Sequence, residues 1–87
     1  MVSYSLFIKP SAGKDLEAVG SKADRLRIIG KVRNLVQDPR PHGSETLAGY
    51  DDRYRVRRGN YRIVSEIDDQ AGHVTIYKIG HRKDVYR

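Results

Sequence analysis

A chain of 87 residues with net charge +6 and no cysteine reads as one domain, residues 1–87, with room for one small core. Disulfides, a thiolate metal site and a cysteine nucleophile are excluded, and no apolar run approaches the roughly 20 residues of a membrane-spanning helix. The basic balance, with a sequence pI near 9.8, favours an anionic partner such as RNA, DNA, a ribosome or an acidic protein.

The first segment, Met1 to Ile8, lacks the basic n-region and long apolar stretch of a signal peptide, so a cytoplasmic location is expected. Tyr4 to Ile8 reads as a short strand with Tyr4, Leu6 and Ile8 on one face. Lys9-Pro10-Ser11 ends it. Ser11 is the expected N-cap of a first helix running to about Val19, with Gly20 as its stop. Ser21, with Asp24 three residues on, predicts a second helix from Lys22 to about Gln37. Ala23, Leu26, Ile29, Val32 (or Ile28), Leu35 and Val36 are its expected apolar stripe. Asp38-Pro39 ends that helix, and residues 40–46 read as loop from their Pro, Gly and Ser content.

From Arg53 to Arg62 five of ten residues are arginine and none is acidic. The stretch alternates, with Arg53, Arg55 and Arg57 on one side of a strand and Tyr54 and Val56 on the other. Gly59-Asn60 predicts a tight turn into a second arm, Tyr61 to Ile67. A row of aligned guanidinium groups is costly unless it meets water, acid or phosphate. After a turn at residues 68–72, His73 to Ile79 is the last strand, Val74, Ile76 and Lys78 alternating against Thr75, Tyr77 and Ile79. The order is β-α-α-β-β-β. That pattern predicts an α+β fold: an N-terminal strand, a helical hairpin and a three-stranded antiparallel meander, in one small sheet with the helices on one face.

The chemistry on offer is narrow. No Gly-rich phosphate loop or metal-ligand spacing is present, and His42, His73 and His81 are dispersed, so neither a metal nor a cofactor is expected. Arginine, tyrosine and histidine remain. Arginine holds its proton and serves as a phosphate clamp, tyrosine stacks or passes a proton, and histidine transfers protons near neutrality. In a basic groove these types suit RNA cleavage by the substrate's own 2′-hydroxyl, which needs no metal and no protein nucleophile. Simpler accounts exist for several of them. Arg55 and Arg57 fit solvated strand charges, and Tyr54 and Tyr61 fit sheet packing. The terminal Gly80-His81-Arg82-Lys83-Asp84-Val85-Tyr86 follows an apolar strand where no packing need calls for it.

Together these motifs resemble the RelE/ParE toxin superfamily, and within it the RelE-like branch. The resemblance rests on the opening strand with two helices broken at Val19-Gly20-Ser21, on the exit 38–44 followed by Leu47-Ala48-Gly49, on residues 54–64, and on residues 79–86. It implies the toxin of a toxin–antitoxin pair, a ribosome-dependent mRNA endonuclease that cuts in the ribosomal A site and leaves a cyclic phosphate. It also implies an antitoxin, RelB-like and acidic, that folds on binding. The family's basic strand pair falls on Arg55 and Arg57. Both are lysine in the best-known member, and because arginine does not give up its proton a base role does not carry over.

By the same resemblance Arg62, Arg82, Tyr86 and His81 are the expected catalytic residues. Arg62 would stabilise charge, Arg82 would support the leaving group, Tyr86 would stack on the base or activate the 2′-hydroxyl, and His81 is a second candidate for proton transfer. Arg53, Arg55, Arg57, Arg58 and Lys83 are the expected RNA-binding set. Two other readings stand beside this one: a ParE-like toxin that inhibits DNA gyrase, and a non-catalytic basic module that binds RNA or the ribosome.

Overall fold

The computed structural model of the chain describes residues 4–81. Its elements run β1 (Ser5–Ile8), α1 (Pro10–Glu17), α2 (Lys22–Asn34), β2 (Glu45–Thr46), β3 (Arg53–Arg58), β4 (Tyr61–Asp68) and β5 (His73–His81). They form an α+β fold with one five-stranded sheet in the order β1-β5-β4-β3-β2. The expected meander is β3, β4 and β5, antiparallel in sequence. β1 lies parallel to β5 at one edge, with Leu6 opposite Val74 and Ile8 opposite Ile76. The fifth strand was not expected. β2 is a two-residue piece of the segment 40–46, pairing Glu45 with Arg55 and Thr46 with Tyr54. Two residues are too few to display alternation, so the sequence carries no strand signal there.

The helix boundaries shift from their expected places for local reasons. α1 starts two residues earlier than a Ser11 cap allows: Lys9 is the N-cap, without a side-chain cap, and Pro10 opens the helix. Proline suits that position because its fixed φ is helical and its missing N–H would have no partner there. The helix ends at Glu17 with Ala18 as C-cap, short of Val19 and Gly20. α2 does begin as expected, Ser21 accepting from the Asp24 backbone N–H at 3.3 Å. The Arg25 guanidinium reaches back to the Val19 carbonyl and closes the corner between the two helices.

The buried stripe of α2 is Ile28, Val32 and Leu35, spaced i, i+4, i+7. The expected members Ala23 and Leu26 face outward, and Leu26 is 59% exposed. Apolar residues lie on more than half of the helix circumference, so periodicity alone does not fix which arc faces the sheet.

The core joins Ala12, Val19, Ile28, Val32 and Leu35 to Val56, Ile63, Val74, Ile76 and Ile79 on the sheet. On β5 this set breaks strict alternation, because Ile79 was expected on the face opposite Val74 and Ile76. A bulge resolves the conflict. Val64 pairs with Lys78 and Ser65 pairs with Ile76, which leaves Tyr77 as the extra residue. The bulge turns the strand by one position, so Val74, Ile76 and Ile79 all reach the helices. Past Ile8, β5 has no strand neighbour on its outer edge among the described residues. There the Asp15 carboxylate of α1 accepts the Ile79 N–H at 3.2 Å, supplying the acceptor a partner strand would otherwise give.

Candidate active site

β3 and β4 are joined by the Gly59-Asn60 turn, Gly59 with φ 60. Their register sets Arg57 opposite Arg62 and Arg55 opposite Val64. The three arginines therefore share the sheet face away from Val56 and Ile63. Arg55, Arg57 and Arg62 line one open cavity of about 340 Å³ with Lys31, His42, Gly43, Glu45 and Val56. Arg62 is 5% exposed although it is charged. Arg55 is held by Glu45, Nη2 to Oε2, at 2.7 Å. The lining side chains carry four cations and one carboxylate, a composition suited to a phosphate group with its two or more oxygens.

The remaining expected residues separate from this group. Arg53 lies outside the cavity. Its guanidinium is 4.3 Å from the ring centroids of both Tyr50 and Tyr77 and its Nε is 3.6 Å from Glu66, an arrangement that fixes it to the sheet. Arg58, register partner of Tyr61, lines a different depression with Leu26, Arg27, Gly30, Lys31 and Asn34 of α2. Lys31 is common to both, so the basic surface runs on from the cavity along α2. His81 pairs with Tyr61, the rings edge to face at 5.7 Å. It lines a second cavity of about 250 Å³ with Asp15, Ala18, Val19, Tyr61, Ile79 and Gly80. In β4 the neighbours Tyr61 and Arg62 point to opposite faces, so His81 accompanies Tyr61 and parts from the arginines. Arg82, Lys83 and Tyr86 lie outside the described residues.

The sequence reading passed over two cavity residues of chemical interest, His42 and Lys31. His42 reads as an ordinary loop residue, yet its loop is tied down. The Arg40 guanidinium donates to both carboxylate oxygens of Asp69, at 3.2 and 2.9 Å, and its Nε donates to the Tyr54 hydroxyl at 3.0 Å. The Tyr4 hydroxyl donates to the same Asp69 at 2.7 Å. These bonds, Arg40's first, hold the Asp69 carboxyl below its ordinary range, while the bond to Asp69 raises the Tyr4 phenol above its own. The one available signal was Pro41-His42-Gly43, a turn sequence next to the helix exit. Among the described residues, no group of three or more His, Asp or Glu is placed to hold a metal ion, and no helix is long and apolar enough to cross a membrane.

Comparison with known proteins shows the same fold. A family model described as ParE toxin of type II toxin-antitoxin system, parDE, matches residues 6–86. Toxin RelG of Mycobacterium tuberculosis is 26% identical over 84 residues, covering 97% of each chain. The isolated E. coli RelE toxin superposes with a TM-score of 0.77 at 26% identity, over 97% of this chain and 92% of that one. The archaeal RelE of the RelE–RelB complex from Pyrococcus horikoshii OT3 superposes with a TM-score of 0.78 at 25% identity, over 92% of this chain and 96% of that one.

Proposed function

The chain belongs to the ParE toxin family of type II toxin–antitoxin systems, within the RelE/ParE superfamily, and we propose, on its likeness to RelE toxins, that it is a ribosome-dependent mRNA endonuclease. The observation that carries the reading is the convergence of Arg55, Arg57 and Arg62 on one cavity. A gripped phosphodiester there would have its charge neutralised on several sides. The RNA 2′-oxygen attacks the adjacent phosphorus, the P–O2′ bond forms and the P–O5′ bond breaks. The products are a 2′,3′-cyclic phosphate and a 5′-hydroxyl. Negative charge grows on the phosphoryl oxygens in the transition state, and fixed guanidinium groups stabilise it without reorganising. No metal or cofactor enters the reaction as drawn.

Arg55 and Arg57 bind the RNA backbone and Arg62 meets the developing charge. By the family resemblance Arg82 supports the leaving 5′-oxygen and Tyr86 stacks on the base or helps activate the 2′-hydroxyl. Arg58 and Lys83 extend the contact along the RNA, and Arg53 braces the strand. The protein acts in the cytoplasm, where its neutralising partner is an acidic RelB-like antitoxin that folds on binding. The archaeal relative is itself seen as a RelE–RelB complex.

A second reading is inhibition of DNA gyrase, because the matching family model is that of a ParE toxin. One pair of assays separates the two. In a purified translation system the protein cuts mRNA on ribosomes and leaves free mRNA intact, while a gyrase supercoiling assay is unaffected. Inhibited supercoiling with uncut mRNA is the result that favours the second reading.

A further inference from the structure

His42 reaches the arginine cavity from a chain segment held at both ends. Before it, Pro41 is buried and Arg40 is locked to Asp69 and Tyr54. The Ser44 N–H donates to the Pro41 carbonyl at 2.9 Å, closing a turn whose third residue, Gly43, has φ 90. A type II turn needs positive φ at that position, which glycine adopts without strain. After it, Glu45 is joined to β3 by its register with Arg55 and by the 2.7 Å ion pair. His42 thus occupies the second position of a pinned turn and lines the same cavity as Arg55, Arg57 and Arg62.

We propose that His42 is the general base of this cavity, taking the proton of the attacking 2′-hydroxyl. The proposal rests on the reading of the cavity as an RNA-cleaving site. The charged groups that line the cavity with His42 are Lys31 from α2, Glu45 from β2, Arg55 and Arg57 from β3, and Arg62 from β4. Arginine does not release its proton. Lysine is ordinarily protonated far above neutrality. The Glu45 carboxylate is engaged by Arg55. Imidazole is the side chain that ordinarily changes charge near neutral pH, and His42 is the one imidazole among the described residues of the cavity. The proton balance is simple. Neutral His42 takes the 2′-hydroxyl proton as the 2′-oxygen bonds to phosphorus. The P–O5′ electron pair leaves with the 5′-oxygen, which takes a proton from solvent. The imidazolium then returns its proton to water.

The test is single-turnover cleavage of mRNA on programmed ribosomes from about pH 5.5 to 9, for wild type, His42→Gln and His42→Ala. The wild-type rate rises with pH and levels off above the imidazole range. His42→Gln lowers the maximal rate by about 10²-fold or more, leaves half-saturation little changed and removes the inflection. Added imidazole restores part of the activity of His42→Ala. A variant that keeps the wild-type rate and inflection overturns the proposal, as does one that only weakens half-saturation.

A second measurement is independent of turnover. NMR of the ¹⁵N-labelled protein follows the His42 ring during titration with an RNA trinucleotide whose scissile nucleotide is 2′-deoxy. A displaced His42 signal is expected. An unmoved signal at saturation overturns the proposal whether or not the wild type cleaves. A moved signal in a protein that never cleaves mRNA overturns the nuclease reading instead, and the base role with it, leaving a phosphate-binding cavity.

Discussion

Arg55 and Glu45 are register partners across β3 and β2 and are also joined side chain to side chain, Nη2 to Oε2 at 2.7 Å. The shortest strand of the sheet thus places the only carboxylate among the described residues of the arginine cavity. It holds Arg55 in position and offsets one positive charge.

That pair gives a first prediction. Glu45→Gln keeps the shape of the side chain and removes its charge. The variant binds single-stranded RNA more tightly at low salt, and the slope of log affinity against log salt steepens by about 0.7, one further phosphate contact. Fluorescence anisotropy over a salt series measures both. An unchanged slope contradicts the placement of phosphate beside Arg55.

Arg62 supplies a second. It is nearly buried at the cavity, 5% exposed, and directly opposite Arg57. Arg62→Lys retains charge but loses the planar fork that meets two phosphate oxygens together. Ribosome-dependent cleavage falls by about 10²- to 10³-fold, the usual loss for one fixed donor at a developing oxyanion. Melting temperature, measured alongside, separates lost catalysis from lost folding.

How legible these features were in the sequence depended on the physics behind each. The β3–β4 hairpin was plain because Arg53 to Arg58 alternates cleanly and Gly59-Asn60 punctuates it. Arg55, Arg57 and Arg62 follow from that alternation, since the two arms pair in simple register. The face of α2 was legible in part: Val32 (or Ile28) and Leu35 were expected inside and are buried, but apolar residues span a wide arc and only tertiary packing leaves Leu26 outside. Ile79 was misplaced because a bulge at Tyr77 is a property of the β4–β5 pair, and one strand's pattern does not reveal it. His42 was passed over because the turn sequence Pro41-His42-Gly43 marks a turn and not what its histidine meets. Its place depends on Arg40 meeting Asp69, a contact between residues 29 apart in sequence.

The core makes a third prediction. Ile63 is fully buried, between Val56 on β3 and Ile79 on β5. Ile63→Ala removes methyl groups from a site closed on both sides and costs about 2–5 kcal/mol, against about 0.5–1.5 kcal/mol for Ile63→Val. A small domain holds about 5–15 kcal/mol in all, so the alanine variant loses a large share of its stability. Urea denaturation of the two variants checks the ratio.

The Asp69 network predicts a pH dependence. Hydrogen bonds from Arg40 and Tyr4 lower the Asp69 carboxyl below its ordinary value. A group lowered in the folded state adds stability above its unfolded range and loses it as pH falls through the folded one. Melting temperature therefore drops as the pH falls below about 4, the ordinary carboxyl range. Asp69→Asn melts lower than wild type at neutral pH, and the difference narrows in acid. A difference that stays constant across that window contradicts the assigned role of the carboxylate.

The central claim, that the arginine cavity cleaves mRNA in the ribosome, is tested most directly by mapping RNA ends. Wild type and an Arg55→Ala, Arg57→Ala, Arg62→Ala triple variant are added to ribosomes carrying a defined mRNA with an empty A site. The account predicts 2′,3′-cyclic phosphate and 5′-hydroxyl ends at the A-site codon with wild type, and intact mRNA with a folded triple variant. Intact mRNA with wild type, or the same cyclic ends at undiminished rate with the triple variant, would contradict it.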